Sequence, residues 1–532
     1  MHLKDLIAPE YYNFANEVEK YAKDPEKIAI KFVSENGDVK NISYRTLAEE
    51  VNRYANALYH LGLRKGDRVL LITQKVPESY VVYLACIKAG LVFIPCSEML
   101  RANDLVYRIN HSEAKAVIVY NGLTNEIDKI AEPIPSLKHK LIAGDFTKEG
   151  WENLTDLAKN EDTTFNKVRT HRDEMAMLPY TSGTTANPKA VVHTHNWFYA
   201  HLQVAPKLWL DIQEDDLVWA TAAPGWQKWV WSPFVSTLGM GATAFVYNGK
   251  FSPEKYLQLL QDFEINVLCA TPTEYRFMAK LENLDQYKLP ALRSAVSAGE
   301  PLNAQVIDTF QQCFGITVRD GYGQTENTLV VGTLPGMPLK KGSMGKPVPG
   351  YRVEVINQDG EPCQPGEVGD IALHKDTPTL FKEYYKDEER TKKAYRGDWY
   401  LTGDQARKDE DGYFWYEGRS DDIIISSEYT IGPFEVEDAL TKHPLVRECA
   451  VVASPDPDRG AVVKAFVVLV DNNISKNEKL VKELQEHVKQ ITAPYKYPRK
   501  IEFVEELPKT ISGKIRRVEL REKELRQVKI NK

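Results

Sequence analysis

Tyr180 to Val191 reads YTSGTTANPKAV. Thr181, Ser182, Gly183, Thr184 and Thr185 form an unbroken run of hydroxyls around a glycine, and Pro188 and Lys189 follow closely. Residues 175–178 before it and 190–192 after it are apolar, so the run reads as a loop between buried elements. Such a loop presents backbone N–H groups, hydroxyl donors and one cation to a single point, which is what a polyphosphate needs. An ordinary Ser/Thr-rich surface loop has the same composition. No GK[ST] closes the stretch, so it is not a Walker A loop. Taken alone, it leaves both readings open.

Outward from this loop the chain alternates strand and helix. Residues 1–66 read as mostly helical, with the helical spacing of 43–61 stopping before Gly62. Strands are expected at 67–73, 92–95 and 116–120, with helices at 80–89 and 104–111 between them. Beyond the loop, 196–209 and 253–264 read as helices, and 216–222, 241–247 and 266–271 as strands. This order predicts a parallel α/β sheet. Past about residue 340 close-set glycines, prolines and short alternating strands mark a β-rich module, to about residue 420. The polar break GRSDD at 418–422 precedes a compact mixed region. We therefore expect a large domain over 1–420 and a small one over 421–532.

The chain has 532 residues, 43% hydrophobic and 27% charged, in the range of soluble globular proteins. Lys plus Arg number 68 and Asp plus Glu 75, a formal net charge of −7, which gives no electrostatic reason to expect nucleic acid. The N-terminal MHLKDLIAPEYYNF lacks the apolar core of a secretory signal. The longest apolar region, 81–96, is broken by Lys88 and Gly90 and is too short to span a membrane. Six scattered cysteines without a CxxC read as reduced core residues of a cytoplasmic protein. His193 and His195 form an HxH pair without a nearby Cys or carboxylate, so zinc is not expected there. The Lys/Arg-rich tail, interrupted by Glu519, Glu522 and Glu524, reads as a solvated helix face.

Three further stretches carry chemistry. In DGYGQTEN, 320–327, Gly321 and Gly323 would let the backbone approach a ligand. Tyr322 offers a flat face to a base, Thr325 a phosphate contact, and Glu326 a magnesium ligand. A tight turn with a surface tyrosine is the plainer alternative. In WYLTGD, 399–404, Asp404 is a buried carboxylate after a strand, suited to a ribose hydroxyl pair, and Arg419 could join it. In LPKTISGKIR, 507–516, Lys514 follows a glycine on a loop.

The order of these pieces resembles the ANL adenylate-forming superfamily, from about residue 40 to about 525, and within it the medium-chain acyl-CoA synthetases. YLTGDQARKDEDGYFWYEGRSDDIIISSEYTIGPFEVEDAL and PGWQKW at 224–229 carry the likeness to that branch. The resemblance implies a large domain of two helix-flanked sheets plus a β-barrel subdomain, and a small mobile α+β domain hinged at Asp421. It implies a carboxylate substrate, ATP with Mg2+, and coenzyme A, with acyl-AMP as intermediate. By the same likeness, residues 181–185 and Lys189 would hold phosphates. Tyr322 would stack on adenine opposite Gly299, Glu300 and Pro301, within the segment that begins at Asp320. Asp404 and Arg419 would grip the ribose, and Glu326 would bind magnesium. Lys514, with Thr185 and Glu326, would serve adenylation. Trp226, beside Gly225, would bound the acyl pocket, while Ser427, Glu428 and Tyr429 would line the coenzyme A tunnel.

The chain departs from the family pattern at Ala186, Ala190, Glu428 and Thr430. Glu428 stands where the family has glycine, which puts the thioester half-reaction in question. Two other readings stay open: an adenylating enzyme that serves another acceptor, or a non-catalytic nucleotide or acyl sensor. A homo-oligomer is possible.

Overall fold

A computed structural model describes residues 2–530, apart from 182–187, 301, 421, 427–428, 457–459, 472, 493 and 511–512. The expectations for Ser182, Gly183, Thr184, Thr185, Pro301, Asp421, Ser427 and Glu428 therefore lie outside the described residues, and Tyr429 is described by its backbone alone.

The alternation of strand and helix resolves into two large sheets. The first orders its strands His193–Thr194, Met175–Met177, Val92–Cys96, Arg68–Ile72, Ala116–Tyr120, His139–Ala143 and Glu152–Asn153. Arg68–Ile72 lies parallel between Val92–Cys96 and Ala116–Tyr120. Successive strand residues point to opposite faces, and each face has its own core. Val69, Leu71, Phe93 and Ile118 pack with helices Tyr44–His60 and Pro77–Lys88, whereas Leu70, Ile94 and Val117 pack with Ala102–Ser112. Burial on both faces explains why these strands read as unbroken apolar runs.

The first of those helices begins where Ser43 accepts a hydrogen bond from the Thr46 N–H at 3.1 Å. It closes just before Gly62, whose φ of +91° admits the left-handed turn out of the helix. Pro77 opens the second helix, where its missing N–H costs nothing.

The second sheet has nine strands, ordered Lys346–Pro347, Leu329–Gly332, Val318–Gly323, Ser294–Ala298, Val267–Ala270, Leu217–Ala220, Thr243–Tyr247, Ile28–Val33 and Val39–Ser43. Its last two strands correct the expectation that residues 1–66 are mostly helical. Ile28–Val33 and Val39–Ser43 form an antiparallel pair at the sheet edge, turning at Gly37 with φ +92°. The Asn36-Gly37 pair was the legible signal for that hairpin. A second correction concerns DGYGQTEN: it is not a bare turn, because Val318–Gly323 is a strand beside Ser294–Ala298.

A smaller antiparallel sheet joins Val353–Ile356, Val368–His374, Trp399–Lys408 and Phe414–Arg419. Asp404 sits inside the strand Trp399–Lys408 rather than after it, directly following Gly403 with φ +75°.

The smaller C-terminal domain has a three-stranded sheet of Val446–Asp456, Gly460–Leu469 and Lys500–Phe503, with helices Pro433–Thr441, Glu478–Ile491 and Arg517–Ile530. The last helix corrects the reading of the tail as a purely solvated face. Glu524 is buried, accepting from Ser454 Oγ at 2.7 Å and from Lys464 Nζ at 2.5 Å. Asn303 Nδ2 of the large domain donates to Asp438 Oδ1 of the small one at 2.8 Å. Among the described residues no helix is long and apolar enough to cross a membrane.

Candidate active site

The C-terminal ends of the parallel strands in the nine-stranded sheet face the small β-sheet and the loop that carries Lys514. Asp404 organises this crevice. Its Oδ2 accepts from Tyr322 Oη at 2.6 Å and from Gln324 Nε2 at 2.8 Å, and its Oδ1 from Tyr416 Oη at 3.3 Å. Arg419 is its cross-strand partner, with Nη1 3.9 Å from Oδ1. Burial raises the Asp404 pKa, and Arg419 together with the two tyrosine hydroxyls opposes that rise. Burial, and then the Asp404 charge, push the Tyr322 phenol well above its ordinary value, so it stays a donor. The ring of Tyr322 is thereby fixed by its own hydroxyl. The side chain of Arg419 is half exposed and so reaches solvent or a ligand.

The strands Tyr180–Thr181 and Lys189–Ala190 pair antiparallel, with Thr181 opposite Lys189. Lys189 Nζ lies 3.2 Å from Glu326 Oε1 and donates to Tyr384 Oη at 3.0 Å, while Tyr384 Oη donates to the same carboxylate oxygen at 2.9 Å. Thr181 Oγ1 is buried with no hydrogen-bond partner among the described residues.

Two of the glycines are required by neighbouring protein. A Cβ on Gly321 would meet the Trp209 ring at 2.5 Å, and one on Gly323 would meet the Thr328 carbonyl oxygen at 2.0 Å. At both positions the absent side chain makes room for neighbouring protein atoms. Gly299 behaves differently: its φ is +103° and a Cβ there would meet nothing within 4 Å. The neighbouring Glu300 turns its carboxylate to Thr273 Oγ1, at 2.9 Å, and to Arg276. Asp320 lies under the strand and accepts from the Gly321 N–H at 2.8 Å. Burial pushes its pKa up to about 7, against the pull of those N–H bonds and of Lys228.

Gly225 has φ +93°, and a Cβ there would collide with the backbone of Cys96 and Ser97 at 2.4–2.5 Å. That close approach seats the PGWQKW segment on the end of the strand Val92–Cys96. Trp226 is half-buried at this point. Trp229 is core, stacked on Phe234 with centroids 5.1 Å apart. Lys228, which the sequence reading passed over, donates to the Ala298 carbonyl at 2.5 Å. A lysine set among tryptophans was the available signal for it.

Lys514 lies on a tight turn. Its N–H donates to Thr510 Oγ1 at 3.1 Å, its carbonyl accepts from the Thr510 N–H at 2.7 Å, and Gly513 has φ +85°. The side chain is exposed, and partial desolvation by the neighbouring groups lowers its pKa. Glu300 and Asp404 oppose the shift, while Lys228 and Arg419 add to it. Glu300, Lys228, Asp404 and Arg419 therefore share one electrostatic neighbourhood with Lys514 of the small domain.

With this geometry in view, comparison with known proteins gives the class. Residues 18–385 match the AMP-binding enzyme family and residues 435–514 its C-terminal domain. The chain belongs to this adenylate-forming family. It is 60% identical over 531 residues to YtcI of Bacillus subtilis (strain 168), named an uncharacterized acyl–CoA ligase, covering 99% of each chain. It is 44% identical over 529 residues to the mitochondrial acyl-coenzyme A synthetase ACSM3 of Mus musculus, covering 97% of this chain and 91% of that one. Among solved structures, the anthranilate CoA ligase AuaEII in complex with anthranoyl-AMP matches with a TM-score of 0.90 at 30% identity, over 98% of this chain and 99% of that one.

Proposed function

We propose that this enzyme is an ATP-dependent carboxylate–CoA ligase acting on a medium-chain or short branched fatty acid. The observation that carries the reading is the shared crevice of Asp404, Tyr322, Lys189, Glu326 and Lys514. A carboxylate is a poor electrophile, and a mixed anhydride with AMP gives it a good leaving group. In the first step a substrate carboxylate oxygen attacks the α-phosphorus of ATP, a P–O bond forms, and the bond to pyrophosphate breaks.

That transition state needs charge neutralisation and alignment. Lys514 supplies a cation to the reacting oxygens. Lys189 and the hydroxyls of 181–185 hold the β- and γ-phosphates. Tyr322 and Gly299 flank the adenine, the latter through the open space over its Cα. Asp404, with Arg419, takes the ribose hydroxyls. Glu326 offers a carboxylate to Mg2+, a fit with an ion that takes one or two protein carboxylates beside substrate phosphates. When bound, that ion neutralises phosphate charge. In the second step the thiol of coenzyme A attacks the acyl carbon and AMP leaves. This requires Lys514 to withdraw, by rotation of residues 421–532 about Asp421 as hinge. Trp226 bounds the acyl site.

The preference for a medium or short branched chain rests on the likeness carried by PGWQKW and by the stretch from Tyr400 to Leu440. Pyrophosphate release over a panel of carboxylates, with and without coenzyme A, tests the proposal. Release that is greatest with a C4–C10 acid and yields a thioester supports it, and release only with aryl acids overturns the chain-length reading. A second reading is favoured by Glu428: an adenylating enzyme that serves another acceptor. If Glu428 obstructs the pantetheine arm, Glu428→Gly speeds transfer to coenzyme A in single turnover and leaves adenylation unchanged. An unchanged transfer rate removes that second reading.

A further inference from the structure

The HxH pair opens a feature that the roles above leave unused. Trp197 and His201 lie one turn apart on the helix His195–Val204, and His193, on the strand just before that helix, packs beside Trp197, so the three rings form one stripe. Trp197 stacks on His201, with centroids 4.7 Å apart and planes 11° apart, and His193 lies 5.5 Å from Trp197. Each ring meets the segment that follows Tyr322. His193 Nε2 is 2.6 Å from the Thr325 carbonyl, Trp197 Nε1 donates to the Asn327 carbonyl at 2.9 Å, and His201 Nδ1 is 2.5 Å from Thr328 Oγ1. His201 also reaches the other way, its Nε2 lying 3.0 Å from the Trp231 carbonyl and 2.9 Å from Ser236 Oγ.

The acceptors fix the tautomers. A carbonyl only accepts, so His193 carries its proton on Nε2, and so does His201. Thr328 Oγ–H must then donate to His201 Nδ1. Both rings are fully buried, and desolvation holds their pKa values down to about 4 for His193 and about 3 for His201. They are neutral, directional donors. Glu326 lies between the carbonyls of 325 and 327, and its own carbonyl accepts from the Phe381 N–H at 2.7 Å. The backbone on both sides of the magnesium-side carboxylate is therefore pinned, and its Oε1 faces Lys189.

We propose that the His193–Trp197–His201 stripe is a positioning device that sets Glu326 against Lys189 for ATP and, through His201, couples this setting to the 226–236 segment that borders the acyl site. The inference rests on the assignment of that crevice to ATP and acyl substrate. His201 is the junction. Its Nδ1 serves the nucleotide-side segment and its Nε2 serves the acyl-side segment, so the two bonds can be removed separately. Asparagine places an acceptor where Nδ1 stood, and glutamine places a donor where Nε2 stood.

The experiment measures KM for ATP and for carboxylate by pyrophosphate release, with the thermal midpoint of each variant alongside. Losing a buried hydrogen bond at this distance from the chemistry corresponds to roughly a five- to twentyfold effect. Trp197→Phe and His193→Leu are expected to raise KM for ATP by about tenfold and to move KM for carboxylate by less than about twofold. His193→Gln, which restores the donor to the Thr325 carbonyl, should recover most of the ATP affinity. His201→Gln should shift KM for ATP alone, and His201→Asn should shift KM for carboxylate.

Variants in which both KM values move together, in step with the thermal midpoint and without rescue by His193→Gln, would show a merely structural stripe and overturn the proposal. Glu326→Gln separates the two levels of failure. If it leaves KM for ATP unchanged, the crevice assignment is wrong. If it raises KM for ATP while Trp197→Phe and His193→Leu do not, the crevice assignment stands and the stripe proposal falls.

Discussion

Lys189 and Lys514 are cations of one crevice, held in opposite ways. Lys189 stands on a strand, its ammonium fixed by the Glu326 carboxylate and the Tyr384 hydroxyl, and Glu326 rests on a backbone bonded on both sides. Lys514 stands on a turn held by its own backbone, and among the described residues no hydrogen bond or ion pair holds its Nζ. One cation is tied to its surroundings by side-chain bonds and the other is not. The proposed two-step reaction would use this difference: the nucleotide would stay while the group that serves only the first step would leave. The contrast can be broken or sharpened by four measurements.

The largest effect is expected at Lys514. Lys514→Ala should lower acyl-AMP formation by about 10²–10³-fold, as loss of one preorganised charge-stabilising donor does. Thiolysis of supplied acyl-AMP should keep its rate. Equal loss of both half-reactions in a folded variant would mean that Lys514 is not a movable cation. Lys189→Met should act on binding rather than on one step, raising KM for ATP by about 10–100-fold, the scale of a lost charge-assisted hydrogen bond. A fall in kcat with KM unchanged would make the two lysines alike.

The fixed half of the contrast should also carry an acid signature. Burial lowers the pKa of His193 and His195 to about 4 and that of His201 to about 3, from 6.5. The unfolded chain therefore binds more protons than the native one below pH 6.5, and stability falls as pH drops from 6.5 towards these values. Each histidine contributes a slope of about 1.4 kcal/mol per pH unit within its window. His201→Gln should remove one proton's worth of that slope in urea titrations between pH 6 and 4, and an unchanged slope would show that His201 is not held neutral. The smallest effect belongs to Tyr384→Phe, which deletes one hydroxyl from the Lys189–Glu326 pair. KM for ATP should rise about three- to tenfold, near 1 kcal/mol. No change at all would show that the pair holds itself.

Local chemistry was legible in the sequence, and its distant supports were not. The hydroxyl run, DGYGQTEN and the glycine before Lys514 stood out because each sets several residue types in one short stretch, although residues 182–187 lie outside those described. The β-rich module and the helix after Ser43 were legible for the same local reason. Tyr384 was not, since it stands 58 residues from the carboxylate it serves and no periodicity links them. The HxH pair drew attention as a possible metal site and was set aside, yet its first histidine turned out to face a carbonyl. Gly321 and Gly323 were assigned to ligand approach, but a missing side chain does not reveal which neighbour fills the space. Here Trp209 and the Thr328 carbonyl fill it. The Ile28–Val33 hairpin escaped notice because its second strand, Val39–Ser43, is mostly polar and exposed and carries little alternation.

The buried Glu524 has a consequence for how the enzyme comes into being. It bonds to Lys464 and Ser454 from a helix that follows Lys514 in the chain, so the turn carrying Lys514 is anchored from downstream. If the crevice holds ATP as proposed, the part of it built by residues up to 420 can form during synthesis before this anchor is made. A chain lacking the helix Arg517–Ile530 would then bind ATP without turning it over. Released chains truncated after residue 516 and chains that include the helix would test this. Nucleotide binding should appear in both, and pyrophosphate release only in the longer.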